Sequence, residues 1–166
     1  MERLWAPWRL EYIESADSRE ECFLCAFPAE NRDAERLILA RGTRAFIILN
    51  AYPYANGHLL VAPYRHTASI ADLTADEVLD LWQMVTLGLR CLTAAYRPHG
   101  FNIGVNLGRV AGAGLEDHIH VHIVPRWNGD TNFMPVLADV RVMPATLQAT
   151  YERLRKHIDD ARTEQG

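Results

Sequence analysis

The sequence predicts an α+β fold: a largely antiparallel five-stranded sheet with a long central helix and a C-terminal helix. Five short apolar segments have the length of strands, and most links between them are too short for a parallel crossover. One long amphipathic segment separates the third strand from the fourth, and a second follows the last strand. This order argues against a doubly wound parallel sheet, in which helices alternate with strands throughout.

The predicted strands are bounded by turn residues. Gly42 lies in a short turn that makes the first two strands a hairpin, and Pro63 closes the third strand. A glycine-rich loop over residues 108–114 separates the fourth strand from the fifth. The five predicted strands span residues 37–40, 45–49, 57–63, 101–107 and 117–124.

Two segments have the periodicity of amphipathic helices. Thr74 and Glu77 have the spacing of a capping box, so the first helix is expected to start at Thr74 and to end before Pro98. Its predicted apolar positions are Val78, Leu81, Trp82, Val85, Leu89 and Leu92. The last helix is expected to begin near Pro144. Its predicted apolar positions are Leu147, Tyr151, Leu154 and Ile158.

Length and composition indicate a single globular domain. The chain has 166 residues, of which 49% are hydrophobic and 23% charged. We expect residues 1–21 to form an N-terminal arm and linker, and residues 22–166 to form the domain. A net charge of −4 argues against a nucleic-acid or membrane surface. The start of the chain lacks the apolar core of a secretion signal, so we expect a cytoplasmic protein whose three cysteines form no disulfide.

Three histidines alternate with apolar residues in the predicted fifth strand. His118, His120 and His122 would share one face of that strand, and the intervening residues would face the core. Three imidazoles on one face suit either a metal or phosphoryl chemistry, whereas a solvated face would need no such set. The neighbouring glycine-rich loop favours phosphoryl chemistry, because small residues let backbone amides approach a phosphate closely.

The segment from His118 to Val124 resembles the motif of the histidine triad family. Asn50 and residues 57–63 resemble an upstream block of the same family, and the resemblance covers about residues 22–133. Residues 4–9, 106–108 and 125–133 are most similar to the branch of diadenosine tetraphosphate phosphorylases. The resemblance implies a compact α+β domain, a homodimer, and an enzyme acting on nucleotides.

The resemblance also implies a covalent mechanism. The middle histidine of the family motif attacks the α-phosphorus of a nucleotide and forms a nucleotidyl-histidine, and His120 has that position here. A neutral imidazole is a competent nucleophile, and a covalent step divides one difficult displacement into two. His122 would then donate to a phosphate oxygen or to the leaving group, and His58 would support the site by hydrogen bonding.

Six residues are expected to bind the nucleotide. By resemblance, Asn50 contacts the ribose, whereas Ile48 and Leu60 either surround the base or belong to the core. Asn106 is the expected side-chain donor to the phosphates, next to the backbone amides of Gly114 and Leu115. Many family members have Gln, Ser or Thr in the loop before the triad, but residues 113–117 here carry no hydroxyl or amide side chain. Phosphate recognition in that loop is therefore expected to depend on backbone amides.

Cys22 and Cys25 form a Cys-x-x-Cys pair, which is typical of redox motifs and of half zinc sites. A redox use is the weaker interpretation, because the residues before Cys22 do not resemble a buried strand. Some histidine triad proteins complete a zinc site with two histidines, whose positions match His66 and His118 here. The resemblance thus implies a structural zinc ion with two cysteine and two histidine ligands.

The predicted function is cleavage of dinucleoside polyphosphates, with diadenosine tetraphosphate and inorganic phosphate giving ATP and ADP. The alternatives are hydrolysis of dinucleoside polyphosphates or nucleoside phosphoramidates, and a nucleotide-binding module with little turnover. The complete triad argues against the module, because binding alone would not require three histidines.

Overall fold

The computed structural model describes residues 21–112, 115–130 and 145–163. Within these residues the helices are α1 (Phe23–Ala29), α2 (Asp33–Arg36), α3 (Ala75–Tyr96) and α4 (Leu147–Thr163). The strands are β1 (Ile38–Arg41), β2 (Ala45–Leu49), β3 (Leu59–Pro63), β4 (Gly100–Val105) and β5 (Val121–Arg126). They form one antiparallel sheet in the order β1-β2-β3-β5-β4, which confirms the predicted fold class. The described helices include none that is long and apolar enough to cross a bilayer.

One face of the sheet packs against α3 and α4 and forms the main core. The predicted capping box begins α3: the Thr74 side chain accepts from the Glu77 amide, and the Glu77 carboxylate accepts from the Thr74 amide. Glu77 also pairs with Arg65 at 2.8 Å, which ties the start of α3 to the loop after β3. Gly88 lets α3 approach the sheet, since a Cβ there would lie 3.0 Å from the Ile123 side chain.

The strand register aligns five residues across the opposite face of the sheet. Directly paired residues of neighbouring strands project to the same face. The transverse row, from β1 to β4, is Ile38, Ile48, Leu60, His122 and Gly104. Helix α1 covers the first part of this face with a second, smaller apolar cluster centred on Leu24 and Phe46. His122 therefore lies between Leu60, which belongs to the apolar cluster under α1, and Gly104 of β4.

The predicted fifth strand was placed too early in the chain. β5 begins at Val121, so of the three histidines only His122 lies in a strand, and the expectation of one shared strand face is wrong. The reason lies in backbone pairing: the Ile119 amide donates to the Thr67 carbonyl in the loop after β3, outside the sheet ladder. The ends of β1, β3 and β4 differ from the prediction by one or two residues.

Two further differences concern helices. Trp82 was expected on the buried face of α3, but it is 50% exposed, because Leu81, Met84 and Val85 define the buried face. Helix α1 was not predicted from the sequence, and it contains Pro28 close to its end. Most of the predicted N-terminal arm and linker, residues 1–20, lies outside the described residues.

Candidate active site and metal centre

His118 is fully buried and turns toward the cysteine pair. Its Nδ1 lies 3.3 Å from the Sγ of Cys22 and 3.4 Å from the Sγ of Cys25. Its Nε2 donates to the Pro63 carbonyl at 2.8 Å. A carbonyl only accepts, so the proton lies on Nε2 and the Nδ1 lone pair points at the thiols. This is the protonation state that a metal ligand requires.

Cys22, Cys25, His66 and His118 bring their four ligand atoms within 4.8 Å of one another. Cys22 is the N-cap of α1, Cys25 lies in its first turn, and the Nδ1 of His66 is 3.3 Å from the Cys25 Sγ. Burial, and then the Cys22 thiol, raise the pKa of Cys25 to about 11, so this thiol needs a cation beside it to ionise at neutral pH. Two thiols and two imidazoles are a donor set that fits zinc.

His120 is oriented by the backbone of its neighbour. Its ring is 7% exposed, and its Nδ1 donates to the His118 carbonyl at 2.9 Å. The lone pair of His120 therefore lies on Nε2. Burial lowers the pKa of His120 below its usual value, although the bond to the carbonyl opposes this shift. This direction favours the neutral imidazole near neutral pH, and the neutral form is the one that can act as a nucleophile.

A hydrogen-bonded chain sets the protonation of His122. The backbone amide of Tyr54 donates to His58 Nδ1 at 3.0 Å, which places the His58 proton on Nε2. That Nε2 lies 3.0 Å from the Nδ1 of His122 and donates to it. The proton of His122 is then on its own Nε2, a buried atom without a hydrogen-bond partner in the described structure. Burial, and then the neighbouring His120, lower the pKa of His122 to about 4.

His120 and His122 thus present complementary atoms at one place. Their ring centroids are 4.9 Å apart, one ring offering a lone pair on Nε2 and the other an N–H on Nε2. A nucleophile beside a hydrogen-bond donor suits displacement at phosphorus, where charge develops on the oxygens. His58 supports this arrangement through hydrogen bonding, in agreement with the sequence prediction.

The predicted nucleotide-binding residues occupy different environments. Ile48 and Leu60 are 2% and 4% exposed in the cluster under α1, which matches the core-packing interpretation. The Asn50 side-chain oxygen Oδ1 accepts from the Tyr52 backbone amide, and Asn50 Nδ2 lies 3.2 Å from His58 Nδ1. Leu115 packs against the α1 cluster, whereas Gly114 lies outside the described residues.

The glycine-rich loop turns beside the histidines. Gly108 and Gly112 have φ values of +76° and +89°, which favour glycine, and a short 3-10 turn connects them. Asn106 follows β4 directly and donates from Nδ2 to the Gly112 carbonyl at 3.4 Å. Because Val105 pairs with Val121, Asn106 lies next to the register position of His120. Asn106 therefore positions the loop beside the candidate nucleophile.

Tyr54 belongs to this site but was not selected from the sequence. Its ring centroid is 4.7 Å from that of His58 and 6.0 Å from that of His122, and the Tyr54 and His122 rings are 11° from parallel. Tyr54 lies in the turn before β3, where Pro53 and Gly57 predict a turn and nothing about a functional site. No pattern in the sequence indicated its contact with His58.

Comparison with known proteins agrees with this geometry. The model of the HIT domain matches residues 31–129. A Mycobacterium tuberculosis protein named AP-4-A phosphorylase is 40% identical over 157 residues, covering 90% of this chain and 80% of the relative. An adenosine 5'-monophosphoramidase of Schizosaccharomyces pombe is 28% identical over 120 residues, covering 72% of this chain and 86% of the relative.

A solved structure has the same fold. The crystal structure of a Zn-bound histidine triad family protein from Mycobacterium smegmatis superposes with a TM-score of 0.69 at 25% identity. The match covers 90% of this chain and 99% of that chain. Together with the family model and the 40% identical relative, it shows that this chain belongs to the HIT domain family.

Proposed function

We propose that this protein cleaves dinucleoside polyphosphates by nucleotidyl transfer through His120. The observation that carries the proposal is the fixed tautomer of His120, whose Nδ1 is held by the His118 carbonyl while Nε2 keeps its lone pair. The depressed pKa of this buried ring keeps the lone pair available at neutral pH. The relative named AP-4-A phosphorylase supports diadenosine tetraphosphate as substrate.

The proposed reaction has two displacements at the α-phosphorus. First, His120 Nε2 forms a P–N bond, and the bond to the leaving nucleotide breaks as the N–H of His122 donates to an oxygen. ATP leaves and an adenylyl group remains on His120. In the second step an oxygen of inorganic phosphate attacks the same phosphorus, the P–N bond breaks, and ADP is released. Each step forms one bond to phosphorus and breaks one.

Phosphate is the proposed acceptor, and water is the alternative. With water in the second step the products would be ATP and AMP. The phosphorylase relative favours phosphate, whereas the phosphoramidase relative favours water. The experiment is product analysis with diadenosine tetraphosphate, with and without inorganic phosphate. ADP that forms only with phosphate supports the proposal, AMP in both reactions supports hydrolysis, and tight AMP binding without turnover supports a binding module.

We also propose that Cys22, Cys25, His66 and His118 hold one structural zinc ion. The convergence of their ligand atoms within 4.8 Å supports this, as does the zinc bound by the Mycobacterium smegmatis neighbour. Four protein ligands leave no position for substrate, so zinc would link α1 to the triad segment and would take no part in the reaction. Metal analysis of the purified protein tests it: one zinc per chain is expected, and protein without metal would contradict it.

A homodimer through the β4 side is proposed as well. β4 stands at the end of the strand order, so one side of it is a sheet edge. Ile103 of β4 is 41% exposed and pairs with Ile123, so it projects to the sheet face on which α3 packs; α3 itself exposes Leu79 and Trp82. Sedimentation of the wild type should give a dimer, and Trp82→Glu should give a monomer. The control Val110→Glu, at an exposed residue of the glycine-rich loop, should stay dimeric.

All three cysteines lie in the described part of the chain and none forms a disulfide, which supports the proposed cytoplasmic location.

A further inference from the structure

Tyr54 contacts two imidazoles of the site and is itself a partly exposed residue. The ring lies against His58 and nearly parallel to His122, yet the residue is 44% exposed. Its backbone amide already serves the site by fixing the tautomer of His58. That task uses only the backbone, so the aromatic ring beside His122 can serve a second purpose.

The surroundings of His122 are closed on one side and open on the other. In the transverse row, Leu60 on the β3 side is buried under α1. Gly104 lies on the β4 side, and a Cβ added there would meet no described residue within 4 Å. Among the described residues, the open space beside His122 is therefore on the side of Gly104. The ring of Tyr54 lies next to the same imidazole.

The chemistry gives this open side a role. In a displacement at phosphorus the leaving group departs opposite the attacking atom, which here is the Nε2 of His120. His122 carries the N–H that meets the leaving oxygen, so the leaving nucleotide extends past His122. A dinucleoside polyphosphate has a second base on that leaving portion. Every nucleobase has a π-face on which an exposed aromatic side chain can stack.

We propose that Tyr54 stacks on the base of the leaving nucleotide and thereby favours dinucleoside polyphosphates over substrates with small leaving groups. The inference rests on the proposed nucleotidyl transfer through His120, because that step defines which portion leaves. Tyr54 is a specificity residue in this account. Its backbone amide positions the histidines, and its side chain binds substrate.

The test compares two substrates that carry the same adenylyl group and differ in their leaving group. Diadenosine tetraphosphate has a leaving nucleotide, whereas adenosine 5'-phosphoramidate releases only ammonia. Tyr54→Ala removes the ring and keeps the backbone N–H that holds His58. We expect kcat/KM for the tetraphosphate to fall about tenfold, in the range of base stacking. We expect kcat/KM for the phosphoramidate to stay within twofold of the wild type.

Two variants control the experiment. Tyr54→Phe keeps the ring and should keep at least half of the wild-type kcat/KM for the tetraphosphate. Ile70→Ala shortens an apolar side chain of similar exposure, 46%, in the segment between β3 and α3, and should change neither substrate more than twofold. An equal loss on both substrates in Tyr54→Ala would overturn the proposal, because Tyr54 would then act through His122. An equal loss in the Phe and Ala variants would overturn the stacking contact.

Binding measurements separate this inference from the proposed function. If the wild type turns over neither substrate, the proposed function fails, but the subsite is still testable by calorimetry. Tyr54→Ala should weaken a methylene-bridged, non-hydrolysable dinucleoside tetraphosphate about tenfold while AMP binds as in the wild type. Unchanged affinity for the bridged dinucleotide would overturn the inference regardless of turnover.

Discussion

The two ends of the segment from His118 to His122 hold their imidazoles in different ways. At the first end, His118 donates from Nε2 to the Pro63 carbonyl and turns Nδ1 toward two thiols. At the other end, His122 accepts at Nδ1 from His58 and keeps its proton on Nε2. Two histidines four residues apart therefore present different groups: His118 presents the lone pair of Nδ1, and His122 presents the N–H of Nε2.

The difference teaches that the surrounding acceptors and donors, and not the residue type, assign the roles. A ring nitrogen that donates to a carbonyl carries the proton, so the lone pair is on the other nitrogen. A ring nitrogen that accepts an N–H carries the lone pair, so the proton is on the other nitrogen. His120 lies between the two ends, and the His118 carbonyl orients it. Substitutions at each end should thus affect different measurable properties.

The largest effect is expected at His120. His120→Ala removes the nucleophile, so kcat for diadenosine tetraphosphate should fall at least about 1,000-fold. His122→Ala removes the donor to the leaving group but keeps the nucleophile, and it should cost about 100-fold. Affinity for AMP should stay within about threefold in the alanine variant, because binding does not use the nucleophile's lone pair. Steady-state kinetics and calorimetry measure both quantities, and retained turnover in His120→Ala would exclude the covalent mechanism.

The next largest effect concerns the metal end. Cys22→Ser should lose the zinc ion and lower the melting temperature by about 10 °C or more, because metal binding contributes to folding. The control is Cys91→Ala, since Cys91 is a buried thiol that donates to the Leu154 carbonyl, outside the proposed metal site. That variant should keep one zinc per chain. Metal analysis and calorimetry decide; full zinc content in Cys22→Ser would remove Cys22 from the ligand set.

A pH titration tests the His122 end. The pKa of His122 is about 4 in the folded protein and about 6.5 in the unfolded chain. The unfolded chain therefore binds more protons between these values, and the free energy of unfolding should rise by up to about 3 kcal/mol from pH 4 to 6.5. Denaturant titrations of the wild type and His122→Gln measure the contribution by difference. Equal pH dependence in both proteins would contradict the depressed pKa of His122.

The smallest effect is expected in the loop between the two ends. Gly112 has a φ of +89°, so Gly112→Ala should lower the free energy of unfolding by about 1 kcal/mol. Gly100→Ala is the matched control, because an added Cβ there meets no described residue within 4 Å and the φ of Gly100 is outside the left-handed region. The control should cost less than the loop variant, and zinc content should not change in either. A larger cost in Gly100→Ala would contradict the backbone explanation.

Much of this arrangement could be predicted from the sequence. The capping box at Thr74 and Glu77 is local chemistry, and the structure has it as expected. The four proposed zinc ligands came from family resemblance, and they converge although Cys22 and His118 are far apart in the chain. The roles of the catalytic and nucleotide-binding residues remain predictions.

The structure differs from the prediction for physical reasons that the periodicity of the sequence does not reveal. Ile119 alternates with histidines as a strand residue would, but its amide pairs with Thr67 outside the sheet. Trp82 is apolar and was assigned to the core, yet it lies beside the buried stripe of α3. Tyr54 contributes through its backbone amide, which any residue except proline has, so its identity gave no indication of that role.

The contact between Arg65 and Glu77 has a consequence for local opening. Arg65 directly precedes His66, and the carboxylate that it binds also caps α3. The Arg65 guanidinium and the Thr74 amide lower the pKa of Glu77 to about 2. The carboxylate therefore stays ionised, and the cap stays intact, at any pH above about 2. Opening the first turn of α3 should therefore release the His66 loop at the same time. Backbone amides of these two segments should exchange with deuterium as one cooperative unit.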